Sequence, residues 1–155
     1  MCMVCLSLGK TPIKRSARDF SLPETPVAFS AFLHDGNVDV NTRQIVVFNV
    51  TQVNEGDAYH DQTGLFVAPK NGLYFFTLTL NHPQQSSPAH VSLVKNADVV
   101  ARIHADLRTW EQSSQSVILN LSAGDEVFVR NDDYDHKSFA GLLQSSFSGF
   151  LLWAA

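Results

Sequence analysis

Short apolar segments separated by turn residues fill most of this chain, and no stretch keeps a helical period for three turns. The pattern is clearest between residues 59 and 76. Thr63-Gly64 and residues 69–72 predict two turns, because proline fixes φ and glycine accepts a positive φ. This spacing predicts an all-β sandwich. The strands that we predict cover residues 27–33, 45–50, 65–67, 73–80, 90–95, 99–104, 114–121, 126–131 and 146–153.

Two of these strands differ from the others because they carry apolar side chains on both faces. In the strand 114–121, Val117, Leu119 and Leu121 lie on one face, and Ser116 and Asn120 lie on the other. Residues 73–80 and 146–153 instead have apolar side chains on both faces. A sheet of a sandwich has one inner face, so a second apolar face needs a cover. The cover is either a loop or another subunit, and we favour a subunit. The residues that we assign to this interface are Tyr74, Phe76, Leu78, Phe150 and Leu152.

Length and charge limit the possible functions. The 155 residues suffice for one domain with a sizeable core, and the net charge of -4 is mildly acidic. Nucleic acid is not an expected partner, because phosphate binding needs clustered lysine and arginine. No apolar run is long enough to insert into a membrane.

The first 26 residues predict a flexible N-terminal arm, because the segment is basic and contains three prolines. The domain then covers residues 27–155. Cys2 and Cys5 both lie in the arm, so the fold does not depend on a disulfide. A single Cys-x-x-Cys lacks the second pair of ligands that a zinc site needs.

An ordered set of motifs identifies a family resemblance. Residues 59–76 follow the pattern Tyr-x-x-x-Thr-Gly-x-Phe-x-x-Pro-x-x-Gly-x-Tyr-x-Phe, residues 121–127 follow Leu-x-x-Gly-Asp-x-Val, and Phe147-Ser148-Gly149 opens the last strand. Together with Val27-Ala28-Phe29 at the front, these motifs resemble the globular head domain of complement C1q. The resemblance covers residues 27–153. It implies a ten-strand jelly-roll β-sandwich of the C1q/TNF type, which forms homotrimers.

The resemblance also implies a function. A head domain without a collagen stalk resembles soluble, secreted pattern-recognition proteins of innate immunity, often found in invertebrates. Such proteins are lectin-like and bind microbial surface glycans or lipopolysaccharide as multivalent trimers. The alternative is a secreted signalling ligand of the tumour-necrosis-factor type that engages a cell-surface receptor. We do not expect an enzyme, because the chain has no Gly-x-Ser-x-Gly elbow.

Two groups of carboxylates are candidate calcium ligands. Asp132, Asp133 and Asp135 lie in one turn, although this turn lacks the glycine and the distal glutamate of an EF-hand loop. Glu111 and Asp106 precede the strand 114–121, and the resemblance implies a calcium ion there, near the trimer apex. For both groups, the alternative is a solvated acidic surface without a metal.

The loop residues that we predict to contact a ligand are Tyr134, Trp110, Arg108, His104 and Lys137, which offer aromatic faces and hydrogen bonds. The alternative for each is an ordinary loop residue. The six histidines show no short spacing such as His-x-x-x-His, so the sequence predicts no zinc site.

Overall fold

Two five-stranded antiparallel sheets face each other in the structure, a computed structural model that describes residues 25–83, 87–106 and 110–155. The strands are β1 Ala28–Phe32, β2 Asn37–Val40, β3 Val50–Glu55, β4 Tyr59–His60, β5 Leu65–Val67, β6 Gly72–His82, β7 Ala89–Lys95, β8 Asp98–Ala105, β9 Glu111–Leu121, β10 Glu126–Asn131, β11 Lys137–Ala140 and β12 Ser146–Ala154. The first sheet has the order β3-β1-β12-β6-β9 and the second β4-β5-β10-β7-β8. Strands β2 and β11 form a separate ribbon.

This architecture confirms the predicted all-β jelly roll, and its two sheets together contain ten strands. Most of the predicted N-terminal arm lies outside the described residues. Among the residues that are described, no helix has the length and apolar character needed to cross a membrane.

Aromatic side chains fill the space between the sheets. The ring of Phe29 packs edge-on against Phe147 with centroids 4.9 Å apart, and the ring of Phe66 meets Phe76 edge-on at 5.1 Å. All four side chains are at most 3% exposed. Edge-to-face pairs add about 0.5–1.5 kcal/mol each beyond the burial of their area. The apolar side chains of the long strands therefore form one continuous core that holds the two sheets together.

The predicted turn at Thr63-Gly64 is present between β4 and β5. Gly64 has a φ of 76°, and a Cβ on this residue would lie 2.9 Å from the carbonyl oxygen of Val46. Both its conformation and its close packing therefore favour glycine.

The predicted strand at residues 45–50 is wrong. Val46 and Phe48 are buried as alternation suggests, but only Ile45 forms a bridge, to Arg130, and the regular strand β3 begins at Val50. The strand predicted at residues 73–80 is longer in the structure, because β6 continues as far as His82.

The assignment of three interface residues is corrected by the register of β6. Tyr74, Phe76 and Leu78 are at most 1% exposed in the single chain, because they point towards the second sheet. Side chains alternate along a strand, so the outward side chains of β6 include Leu73 and Phe75. A charge at Phe76 would therefore disrupt the core of the subunit rather than a contact between subunits.

Candidate functional site

The turns that follow β6, β8 and β10 lie at one end of the sandwich. Ala89 at the start of β7 pairs with Ala105 at the end of β8, and His82 at the end of β6 pairs with Glu111 at the start of β9. The described residues of these turns are 83, 87–88, 106, 110 and 132–136. We call them, together with the strand residues that border them, the loop end.

A chain of polar contacts crosses the loop end from a carboxylate to two histidines. His90 Nδ1 lies 2.8 Å from Asp133 Oδ1, and the backbone N–H of His90 donates to Asp133 Oδ2 at 2.6 Å. His90 Nε2 lies 2.9 Å from His104 Nδ1. His90 and His104 are opposite each other in the β7–β8 register, so both rings lie on the same face of the sheet.

Asp132, the residue beside Asp133, is held by cations and a hydroxyl group. Its Oδ1 accepts from Arg130 Nε at 2.7 Å and lies 3.3 Å from Arg43, while its Oδ2 accepts from the hydroxyl of Ser92. Burial raises the pKa of Asp132, but the hydrogen bonds from Arg130 and Ser92 and the positive charges outweigh burial and lower it overall. The carboxylate therefore serves as an internal counter-ion.

The structure contradicts the prediction that Lys137 contacts a ligand. Its side chain is 2% exposed, where it donates to the hydroxyl of Ser87 and lies 3.8 Å from Asp133. A buried ammonium group needs such partners, because an unpaired buried charge is costly. Lys137 therefore stabilises the loop end from inside and offers no exposed cation to a ligand.

The five predicted calcium ligands are not brought together. Among the described residues, no three His, Cys, Asp or Glu side chains are arranged to hold a metal ion. Asp132 and Asp133 accept from protein donors, which does not support the 131–135 turn as a calcium loop. Asp135 is exposed. Glu111 and Asp106 are adjacent, since Glu111 Oε2 accepts from the backbone N–H of Asp106 at 2.6 Å, and the calcium ion at this pair stays a prediction.

His82 lies beneath these groups and is fully buried. Among the described residues, neither of its ring nitrogens has a hydrogen bond of ordinary distance and angle, although the backbone of Asp106 favours the protonated ring. Its ring packs 6.2 Å from that of Phe139. Burial lowers the pKa of His82, the charge of Lys137 lowers it further, and Asp106, Glu111 and Asp133 only partly oppose the shift. The imidazole is therefore neutral in the folded protein near pH 7.

Two aromatic side chains project from the loop end into water. Tyr134 is 97% exposed and Trp110 is 60% exposed. The backbone carbonyl of Tyr134 accepts from the hydroxyl of Thr42 at 2.6 Å, which fixes the turn while its ring stays free. Arg108 lies outside the described residues.

A second surface lies on the outward side of the first sheet. Phe75 on β6 pairs in register with Phe150 on β12 and Ile118 on β9, and the rings of Phe75 and Phe150 are 5.3 Å apart. Phe150 is 43% exposed and Ile118 is 57% exposed. Val53, Phe75 and Phe150 help to line a groove of about 280 Å³. We call this surface the apolar face; its other exposed members are Leu73, Leu152 and Trp153.

The sequence did not predict a role for His90. It predicted Asp133 as a calcium ligand, whereas the structure shows Asp133 accepting hydrogen bonds from His90. His90 and His104 are 14 residues apart in the sequence, and only the β7–β8 register makes them neighbours. The apolar segments at residues 90–95 and 99–104 predicted both strands but not their alignment.

Comparisons with known proteins agree with this fold. The family model of the C1q domain matches residues 28–152. A protein from Mytilus edulis named heavy metal-binding protein HIP is 36% identical over 129 residues, which cover 81% of this chain and 60% of that protein. The human complement C1q tumor necrosis factor-related protein 3 is 31% identical over 137 residues, which cover 84% of this chain and 53% of that protein. The chain thus matches between half and two thirds of the length of these relatives.

Solved structures extend the likeness to the fold alone. The globular domain of the zebrafish complement 1qA protein aligns with a TM-score of 0.68 at 20% identity, covering 83% of this chain and 99% of that chain. The Eiger TNF of S. frugiperda aligns with a TM-score of 0.65 at 18% identity, covering 84% of this chain and 95% of that chain.

Proposed function

The chain belongs to the C1q domain family, and from this premise we propose that it is a secreted pattern-recognition protein of innate immunity. In this proposal it assembles as a homotrimer through the apolar face and binds microbial surface glycans or lipopolysaccharide at the loop end. It acts as a binding module and not as an enzyme.

The observation that carries this proposal is the exposure of Trp110 and Tyr134 at the loop end. An aromatic ring that is exposed to water presents an apolar face and a polar edge, which suits the apolar face and the hydroxyl groups of a sugar. His104 is also exposed there and adds a hydrogen-bonding group.

Assembly supplies the affinity that one such surface lacks. An exposed apolar patch as continuous as the Phe150, Phe75 and Ile118 row usually marks an interface. A trimer joined through this row repeats each loop end three times. Binding of the second and third copies to one microbial surface is then intramolecular, which raises avidity by about 10²–10⁴.

Calcium at Glu111 remains part of the proposal. A trimer would bring three copies of this carboxylate towards one axis if the start of β9 lies near it, and a cation would relieve their repulsion. Calcium prefers oxygen ligands in flexible loops. Calorimetric titration of calcium into the metal-free protein tests this part, and an absence of binding below millimolar concentration contradicts it.

A glycan array and vesicles containing lipopolysaccharide test the main proposal. We expect binding by the wild-type protein and a loss of binding in Trp110→Ala and Tyr134→Ala. The matched control is Val99→Ala, since Val99 is an exposed apolar residue at the other end of β8. Retention of binding in both loop-end variants contradicts the assigned site. Absence of glycan and lipopolysaccharide binding, together with saturable binding to a cell-surface protein, favours the alternative of a tumour-necrosis-factor-like ligand.

A metal role is a second candidate function. The name of the Mytilus relative describes heavy-metal binding, and the contact between His90 and His104 is the observation in this chain that favours such a role.

A further inference from the structure

The paired histidines of β7 and β8 form a small cluster, and sugar recognition does not require the contact between their rings. We infer that His90 Nε2 and His104 Nδ1 together bind one divalent transition-metal ion. This inference rests on the metal role proposed above and assigns it to two atoms and to a class of metal.

The distance between the two nitrogens suits one ion. Zinc lies about 2.0–2.1 Å from each imidazole nitrogen that binds it. Two such bonds at a right angle place the nitrogens about 2.9 Å apart, and two at a tetrahedral angle place them about 3.3 Å apart. His90 Nε2 and His104 Nδ1 are 2.9 Å apart. Small rotations of the two rings therefore convert their mutual hydrogen bond into a chelating pair.

The backbone keeps the pair in place. His90 and His104 are direct partners in the antiparallel register, and their ring centroids are 4.6 Å apart. Two donors on a paired sheet are closer to a binding geometry than two donors on a free loop. Less conformational entropy is lost on binding for this reason.

Asp133 completes the arrangement on the side of His90 that faces away from His104. Its Oδ1 accepts from His90 Nδ1 at 2.8 Å, which leaves the lone pair of Nε2 directed at His104. A histidine that binds a metal almost always donates its other ring N–H to a carboxylate or a carbonyl. In the metal-free protein, His104 Nδ1–H donates to His90 Nε2, and binding of the metal moves that proton to His104 Nε2.

Access and ligand chemistry define the class of ion. The His90 side chain is 48% exposed, and His104 is also exposed, so an ion reaches the pair from solvent. Imidazole suits zinc, copper and nickel, whereas calcium and magnesium prefer oxygen. No third protein ligand joins the pair among the described residues. The remaining coordination positions are therefore open to water or to an oxygen atom of a bound molecule.

Zinc titration of the full chain tests the inference. The chain carries Cys2→Ser and Cys5→Ser in every sample, because thiolates also bind zinc. Calorimetry gives the affinity, and long-range ¹H–¹⁵N spectra of the imidazoles identify the nitrogens that bind. The variants are His90→Gln and His104→Gln, which alter exposed side chains and preserve the strands. The matched control is His60→Gln, an exposed histidine on β4.

We expect zinc to shift the resonances of His90 Nε2 and His104 Nδ1. Loss of an outer hydrogen-bond partner alone typically weakens metal binding about 10–100-fold, so loss of either ligand should weaken it at least about tenfold. Asp133→Asn should weaken zinc binding within the same range without changing which nitrogens shift. His60→Gln should bind like the parent.

Two results overturn the inference in different ways. Zinc binding that is unchanged in both His90→Gln and His104→Gln means that the metal role survives and the site is wrong. An absence of zinc binding in the parent removes the site and the metal role together. Glycan binding is a separate measurement and is unaffected by either result.

Discussion

The outward face of the first sheet exposes apolar side chains, whereas polar side chains on the outward face of the second sheet bind each other. On the apolar face of the first sheet, Phe150 and Ile118 are about half exposed to water. On the second sheet, near the loop end, Ser92 and Arg130 are paired in register and both contact Asp132. We call this second surface the polar face. A surface that satisfies its own polar groups needs no partner, whereas an uncovered apolar row is stabilised by one.

Charge insertion on the apolar face should produce the largest effect. Phe150→Asp places a carboxylate in the centre of the row, and burying it between subunits would cost several kcal/mol. Each 1.4 kcal/mol is a tenfold change in the association constant, so we expect a trimer to become a monomer. Light scattering at micromolar concentration measures the change.

The matched control for that experiment is Val99→Asp, which inserts the same charge at an exposed apolar position on the second sheet. We expect this variant to stay trimeric. A wild-type protein that is already monomeric at micromolar concentration contradicts the role of the apolar face.

Two neighbouring residues on β6, Phe75 and Phe76, separate the effect of an outward side chain from that of an inward one. Phe76 is fully buried, so Phe76→Ala should lower the free energy of unfolding by about 3–5 kcal/mol. Phe75→Ala should cost about 1 kcal/mol or less within the subunit, because its ring points outward. Chemical denaturation of both variants in the monomeric Phe150→Asp background measures subunit stability alone. Equal losses would contradict the register of β6.

The sequence predicted the fold well wherever a strand was long. The predicted strands at residues 126–131 and 146–153 match β10 and β12. The short β5 was also predicted, because turn residues bound it on both sides. It missed β2, β4 and β11, which have two to four residues and are too short to show a period. It placed a strand at residues 45–50 because the segment is mostly apolar, although that segment has only a single bridge to β10.

The site was harder to predict because it depends on register. The β7–β8 ladder shifts between Leu93 and Val94, and a slip of one residue would move His104 to the other face. Lys137 was expected to be exposed because lysines usually are. Its only signal in the sequence is Asp133 four residues earlier, and that spacing does not report burial.

Removal of Asp132 tests whether this carboxylate stabilises the polar face by pairing with its positive charges. Asp132→Ala removes the acceptor of both Arg130 Nε and the Ser92 hydroxyl. The side chains of Arg130 and Asp132 are less than 15% exposed. Hydrogen bonds to charged groups contribute about 1.5–3 kcal/mol, so we expect a loss of about 2–3 kcal/mol in the free energy of unfolding. Asp135→Ala, three residues away at an exposed position, should change stability by less than about 0.5 kcal/mol. Equal effects in urea denaturation would mean that Asp132 is no more important than a surface acid.

The smallest expected effect is the loss of stability in acid that the buried His82 causes. The pKa of His82 is lowered by burial and by Lys137, so the folded state binds its proton less readily than the unfolded state. The stability from neutral His82 is complete above the ordinary pKa of about 6.5 and is lost as pH falls below it, with a slope of at most about 1.4 kcal/mol per pH unit. Thermal unfolding between pH 7.5 and pH 5 measures this slope.

His82→Leu should flatten that slope, because leucine fills the same apolar space and has no proton to bind. Loss of a ring whose nitrogens make no well-formed hydrogen bond to the described residues should also change stability little at pH 7.5. His60→Leu, at an exposed position, should keep the wild-type slope. Asp125 and Asp132 do not contribute to a slope in this pH range, since the pKa of Asp125 is held at about 2, chiefly by the hydrogen bond from Asn96, and the pKa of Asp132 is also lowered. A slope that persists in His82→Leu would assign the acid response to groups other than the buried imidazole.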